Sequence, residues 1–254
     1  MTLLYLKLIV TPLLMWAISL ASRRWGGLLG GLLSGMPITS ALVMTFLCLE
    51  QGSTFAVAAV PGALGGLVAV QATYCCFMWS TRRAALVPAV LLALLAYGLV
   101  AYAFTHWGNL HLSVAAALVL IGVLIRASGR EPSPDMLARP KHRYWEIPLR
   151  MVAATSLLML TTSLADWLGP ATSGMLAPIP VIAWPLVVFA YLQNGRPGMA
   201  AMVRGNAIGA VGVIAFYLVL AALLQAWGAA AAIGLAIASA VVLTIGLAAA
   251  LRRR

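Results

Sequence analysis

Between Leu86 and Thr105 the chain passes through twenty consecutive residues without a charge, and runs of this kind recur along most of its length. A helix needs about 20 mostly apolar residues to cross the ~30 Å hydrocarbon core of a bilayer. Lipid offers no hydrogen-bond partners to an open backbone, so each run is read as a helix and the chain as an all-α, polytopic transmembrane bundle. Composition agrees: 63% of the 254 residues are apolar, 8% are charged, and the mean hydropathy is +1.03, outside the range of soluble domains.

The pattern predicts nine spans, near 3–22, 26–49, 54–80, 84–105, 112–128, 147–165, 169–192, 198–224 and 229–251. A hydrophilic segment rich in proline and charge, 129–146, divides the chain into 1–128 with five spans and 147–254 with four. A net charge of +11 would suggest nucleic acid in a soluble protein, but here most Lys and Arg sit in short connections, so no nucleic-acid partner is expected. Arg23 and Arg24, Arg82 and Arg83, the linker, Arg196 and Arg252 to Arg254 all fall on one side if nine spans are counted, and that side is read as cytoplasmic. The amino terminus is then periplasmic and the carboxyl terminus cytoplasmic. Lys7 alone disagrees. Cys48, Cys75 and Cys76 lie inside apolar runs and read as free buried thiols.

Shifting the sequence by 143 residues aligns 26–66 with 169–209 without a gap, with eleven identities in forty-one positions. Gly26, Gly31, Pro37, Phe46, Leu49, Gly52, Gly62 and Gly66 fall on Gly169, Gly174, Pro180, Phe189, Leu192, Gly195, Gly205 and Gly209. Ser34-Gly35-Met36 also recurs as Ser173-Gly174-Met175, about one helical turn out of that register. Five spans precede the second copy, so it enters the membrane inverted, an arrangement typical of secondary transporters that bind substrate near the midplane between halves.

The stretch Gly31-Leu-Leu-Ser-Gly-Met-Pro-Ile-Thr-Ser to Glu50-Gln-Gly, with the glycine-bearing third span, resembles the small four-span GlpM-type inner-membrane proteins of bacteria. Gly169-Pro-Ala-Thr-Ser-Gly-Met-Leu-Ala-Pro-Ile-Pro is a second such segment. The resemblance implies a tandem inverted duplication in a bacterial plasma membrane, with a fifth span added to the first half. It implies no substrate and no catalytic residue.

Pro37 in the second span, and Pro178 and Pro180 in its copy, interrupt helices near mid-depth. Proline lacks an N–H and clashes with the preceding turn, so backbone groups are freed that lipid cannot satisfy. Half-helix amino ends meeting there favour an anion, whereas a plain proline kink is the simpler alternative. Ser34, Thr39, Ser40 and Thr45, with Thr172 and Ser173, are the nearby hydroxyls, able to line a polar cavity or to bond their own helices. Arg204, followed by Gly205 and Asn206, lies several residues into the eighth span. It either faces a cavity or anion or snorkels to the headgroups, and Arg150 poses the same choice. Glu50 and Gln51, and their counterparts Gln193 and Asn194, are candidate gates or ordinary polar helix ends. The paired glycines read as close-packing faces. His106 and His111 stand without other ligand types, so no metal or other cofactor is expected, and no nucleophile elbow or phosphate loop marks an enzyme.

The leading expectation is a secondary transporter or uniporter of a small anionic or zwitterionic solute. A lipid or polyprenyl-phosphate carrier translocase (flippase) and a structural subunit of a membrane complex are the alternatives. Membrane lipids and the solute or headgroup are the expected partners, with a homodimer left open. A reporter fused after Arg254 is expected in the cytoplasm and one inserted at Gly108 in the periplasm. A periplasmic signal from the carboxyl-terminal fusion would refute both the span count and the inversion.

Overall fold

The computed structural model describes residues 2–129, 146–180 and 183–252. Most of the expected linker, the last two arginines, and the side chains of Arg23, Arg24 and Arg150 lie outside the described residues. The fold is all-helical: α1 (Thr2–Gly35), α2 (Ile38–Gln51), α3 (Ser53–Ser80), α4 (Leu86–Trp107), α5 (Leu110–Ala127), α6 (Glu146–Ser163), α7 (Ala165–Leu176) and α8 (Ala183–Arg252). Five helical stretches, among them Ser53–Ser80 and Leu86–Trp107, are long and apolar enough to cross a membrane by length and composition. The chain is a multi-pass membrane protein.

Eight helical stretches are described where nine spans are expected, α7 leaving helical geometry at Gly169 (φ 73°), and two further sources complicate the count. At ~1.5 Å per residue the 70 residues of α8 would extend ~105 Å, far beyond a ~30 Å bilayer core. Gly195 (φ 62°, ψ −151°) and Gly228 (φ 77°, ψ 168°) depart from helical geometry, dividing α8 into α8a (183–194), α8b (196–227) and α8c (229–252). Gly52, between α2 and α3, has φ 87°, so Gly52 and Gly195, 143 residues apart, both adopt the left-handed region that only glycine enters freely.

The second source is α1. A straight helix would hold Lys7 about 42 Å from Gly35, while α2 reaches back only about 21 Å. Lys7 nevertheless touches Glu50 of α2. Met15 and Ala154 form a buried cluster against which Ile38 and Leu42 pack. The amino-terminal part of α1, up to Met15, therefore lies beside α2 and α6 and not in line with the stretch that ends at Gly35.

Backbones meet closely at two crossings. A Cβ on Gly66 of α3 would stand 2.8 Å from the Pro178 ring and overlap the Met175 carbonyl, and one on Gly62 or Gly174 would overlap the carbonyls of Ala171 or Ala59. On α8b, a Cβ on Gly209 would stand 2.7 Å from the Leu32 carbonyl oxygen and the Gly35 carbonyl carbon. The second contact repeats the first: a shift of 143 residues takes Gly66 to Gly209, and Leu32 and Gly35 to Met175 and Pro178. Tyr74 and Tyr217, again 143 apart, are both fully buried. Trp107 and Trp227 stand exposed at helix ends, as an interfacial aromatic belt requires.

Substituting valine for Gly66 or Gly209 pushes one backbone off another. Each variant is expected to lose about 1–3 kcal/mol or more in thermal unfolding of the detergent-solubilised protein. Gly98 and Gly122 have open space around them, so alanine there is expected to be neutral or to stabilise by up to ~1 kcal/mol.

Candidate functional site

The chain leaves helical geometry at both proline positions singled out in the sequence. Between α1 and α2, the Ile38 N–H donates to Met36 O across Pro37 (2.8 Å), and α2 begins with no side-chain cap. Between α7 and α8a, the Ala177 and Ile179 N–H groups turn back to Gly174 O and Leu176 O, and α8a restarts with Trp184 N–H to Pro180 O. Val181 and Ile182, inside this second break, lie outside the described residues.

A cavity of about 30 Å³ lies between the two breaks. It is lined by Ser34, Gly35, Met36, Thr39 and Ser40 from the first break, Pro178 and Pro180 from the second, and Asn206 with Ala210 and Val213 from α8b. Leu67, Val70 and Gln71 of α3 complete it. Six candidate residues distant in sequence thus share one wall: Ser34, Thr39, Ser40, Pro178, Pro180 and Asn206. Pro37, buried at the bend itself, faces a second, apolar opening on the other side of the α2 amino end. The volume suits one or two waters. Gln71 and Asn206 each lie about 15 Å along their helices from the nearer end, close to half the thickness of a bilayer core.

Gln71 is the residue that sequence reasoning missed. It is fully buried, and neither its amide nitrogen nor its carbonyl oxygen has a hydrogen-bond partner among the described residues. An unmet amide in such a place costs about 1–3 kcal/mol, so it is poised for water or a ligand. The signal available was the only glutamine inside a long apolar run, Gly62 to Trp79. Tyr217 brings its hydroxyl toward Ser40. Other hydroxyls do less: Thr45 donates to Ala41 O within its own helix, Ser173 is buried without a partner among the described residues, and Thr172 does not line the cavity.

Arg204 is not at the cavity. Its Nη1 donates to Ile125 O and Gly129 O, both at 2.8 Å. These carbonyls end α5, and a guanidinium there satisfies orphan acceptors at the negative end of the helix dipole. The neighbouring Asn206, two residues on, faces the cavity, so adjacent positions on α8b serve different partners.

The candidate gate positions separate in the same way. Gln51, Gln193 and Asn194 occupy partly buried helix ends. Glu50 meets Lys7, whose Nζ is 2.5 Å from Glu50 Oε1 and 2.6 Å from Thr162 Oγ1, with the Phe46 ring 5.5 Å away. The Lys7 side chain is only 4% exposed. This ion pair ties α1, α2 and α6 at one end of the bundle and explains why Lys7 breaks the charge pattern: its charge is neutralised inside the protein. Among the described residues no group of His, Cys, Asp and Glu could hold a metal. No family model, curated protein or solved structure matches the chain.

Lys7→Met or Glu50→Leu alone strands a charge and is expected to cost about 3 kcal/mol of stability, while the double variant costs less than either single one. Unfolding midpoints of the three proteins check this. Additive losses would mean that the pair is not coupled.

Proposed function

We propose that this protein is a membrane transporter whose two halves, inserted in opposite orientations, hold a small polar group at the cavity between their broken helices. The observation that carries the reading is the cavity bordered by Gln71, Asn206 and both helix breaks, where the buried Gln71 amide has no hydrogen-bond partner among the described residues. Solid packing would have filled such a space with aliphatic side chains.

Nine crossings and the inverted repeat are supported by the reciprocal contacts Gly66 with Met175 and Pro178, and Gly209 with Leu32 and Gly35. They are supported further by the shared backbone geometry of Gly52 and Gly195. In each case one half places its broken helix on the glycine face of the other. The contacts Lys7 to Thr162 and Met15 to Ala154 run antiparallel along α1 and α6, the two helices that lead the halves, as an axis in the membrane plane demands. Bacterial plasma membrane, periplasmic amino terminus and descent from GlpM-type duplication are part of the same proposal.

The bound group is small and anionic or zwitterionic, because the uncapped amino end of α2 opens beside hydroxyl and amide side chains and no acid lines the cavity. At its present size the cavity is contracted around water, and passage requires the halves to move apart on one side at a time. The Lys7 and Glu50 pair closes the end assigned to the periplasm.

Reconstitution into liposomes with flux assays over small anions and zwitterions, both free and as lipid head groups, tests this. Gln71→Leu is expected to reduce flux by about 5- to 150-fold, the equivalent of ~1–3 kcal/mol, without lowering thermal stability. Arg204→Gln is expected to lower stability and leave the affinity of the folded protein unchanged. Wild-type flux equal to that of empty liposomes, or wild-type flux in Gln71→Leu, would overturn the proposal.

A further inference from the structure

The cavity has an apolar neighbour. A groove of about 260 Å³ opens beside it, between α1, α2 and α8c, lined by Leu14, Pro37, Ile38 and Ala41 on one side and Ile237 and Val241 on the other. Met36 borders both spaces. The first turn of α2 divides them by residue type: Thr39 and Ser40 face the polar cavity, Ile38 and Ala41 the groove.

Leu14 and Ile237, at the groove, are 39% and 42% exposed on the surface of helices that cross the membrane, so what enters from outside is hydrocarbon. The polar cavity alone offers hydrogen bonds to a compact oxygen-rich group and has Gln71 buried at its wall with no partner among the described residues. A polar pocket and a hydrocarbon groove meeting at one helix break match the two ends of one molecule.

Resting on the transport reading, and naming its substrate class, we infer that the site takes an amphiphile: an anionic, phosphate-type head in the Gln71 and Asn206 cavity and a hydrocarbon chain in the Ala41 and Val241 groove. The chain stays in a lipid-like medium throughout, so only the head must be carried across. The cavity of about 30 Å³ must still widen to admit the head, but it need not hold the chain.

The test uses the full-length protein in phosphatidylcholine nanodiscs doped with phosphatidic acid carrying a photoactivatable diazirine midway along one acyl chain. Labelled residues are mapped by mass spectrometry, with glycerol 3-phosphate as the chainless counterpart. Label is expected to concentrate at the groove, at least about fivefold over exposed positions of α4 such as Val87, Leu91 and Leu95. Ala41→Trp and Val241→Phe, filling the groove from opposite walls, should each remove the groove label and leave the α4 label. Gln71→Leu should reduce groove labelling severalfold, because the chain is held there through its head.

Equal labelling of groove and α4, or groove labelling indifferent to Gln71→Leu, means annular lipid only and overturns the inference. Glycerol 3-phosphate flux that Gln71→Leu abolishes, without groove labelling, overturns it while leaving the transport reading standing. Indifference of both labelling and flux to Gln71→Leu overturns both.

Discussion

A helix that stops inside an apolar bundle must hide its ends from lipid, and this chain leaves helical geometry twice, at 36–37 and at 177–180. Freed N–H and C=O groups find no partner in hydrocarbon, so each break has to be covered by protein or open into a polar space. Glycine faces make the cover possible. At Gly62, Gly66 and Gly174 the backbones of α3 and α7 come so close that a single methyl group would collide, and Gly209 lets α8b do the same with the end of α1. α3 thus covers the break that follows α7, α8b covers the end of α1, and the space left over is the cavity.

The same economy governs charge. In a bundle with few charges, each described one inside has an assigned partner: Lys7 has Glu50 and Thr162, and Arg204 has the last carbonyls of α5. Neither cation is left to attract a ligand at the midplane. The anion preference proposed for the cavity would therefore rest on neutral donors and the amino end of α2, a weaker and less desolvation-costly arrangement than a buried arginine. It also leaves the ion pair at one end of the bundle, where separation of the halves would break it.

Much of the site was legible because proline carries its consequence locally. Pro37, Pro178 and Pro180 mark the places where helices stop, although Pro61 is accommodated within α3, and Ser34, Thr39, Ser40 and Asn206 are polar in runs that are otherwise apolar. The contacts of Gly66 and Gly209 fit the 143-residue register, while those of Gly35 with Asn206 and of Gly174 with Ala63 fit the Ser-Gly-Met register on the side of the breaks. Gln71 went unnoticed because it lies in α3, a helix with no break. Arg204 drew attention because a charge inside a span has to go somewhere, but the sequence does not say that the end of α5 arrives beside it.

What the sequence determined by itself is therefore what depends on neighbours along the chain: apolar runs of membrane length, proline breaks, glycine faces, and positive connections. The direction of a side chain across a helix interface depends on how helices rotate and cross, which no local pattern sets. Only the tertiary structure decided that Asn206 turns to the cavity while Arg204 turns to α5, and that Lys7 is buried on Glu50. It alone decided that Met15 comes to lie beside Ile38. Each of these is a contact between segments far apart in sequence, selected because a charge or an open backbone group in hydrocarbon has no acceptable alternative to a partner within the protein.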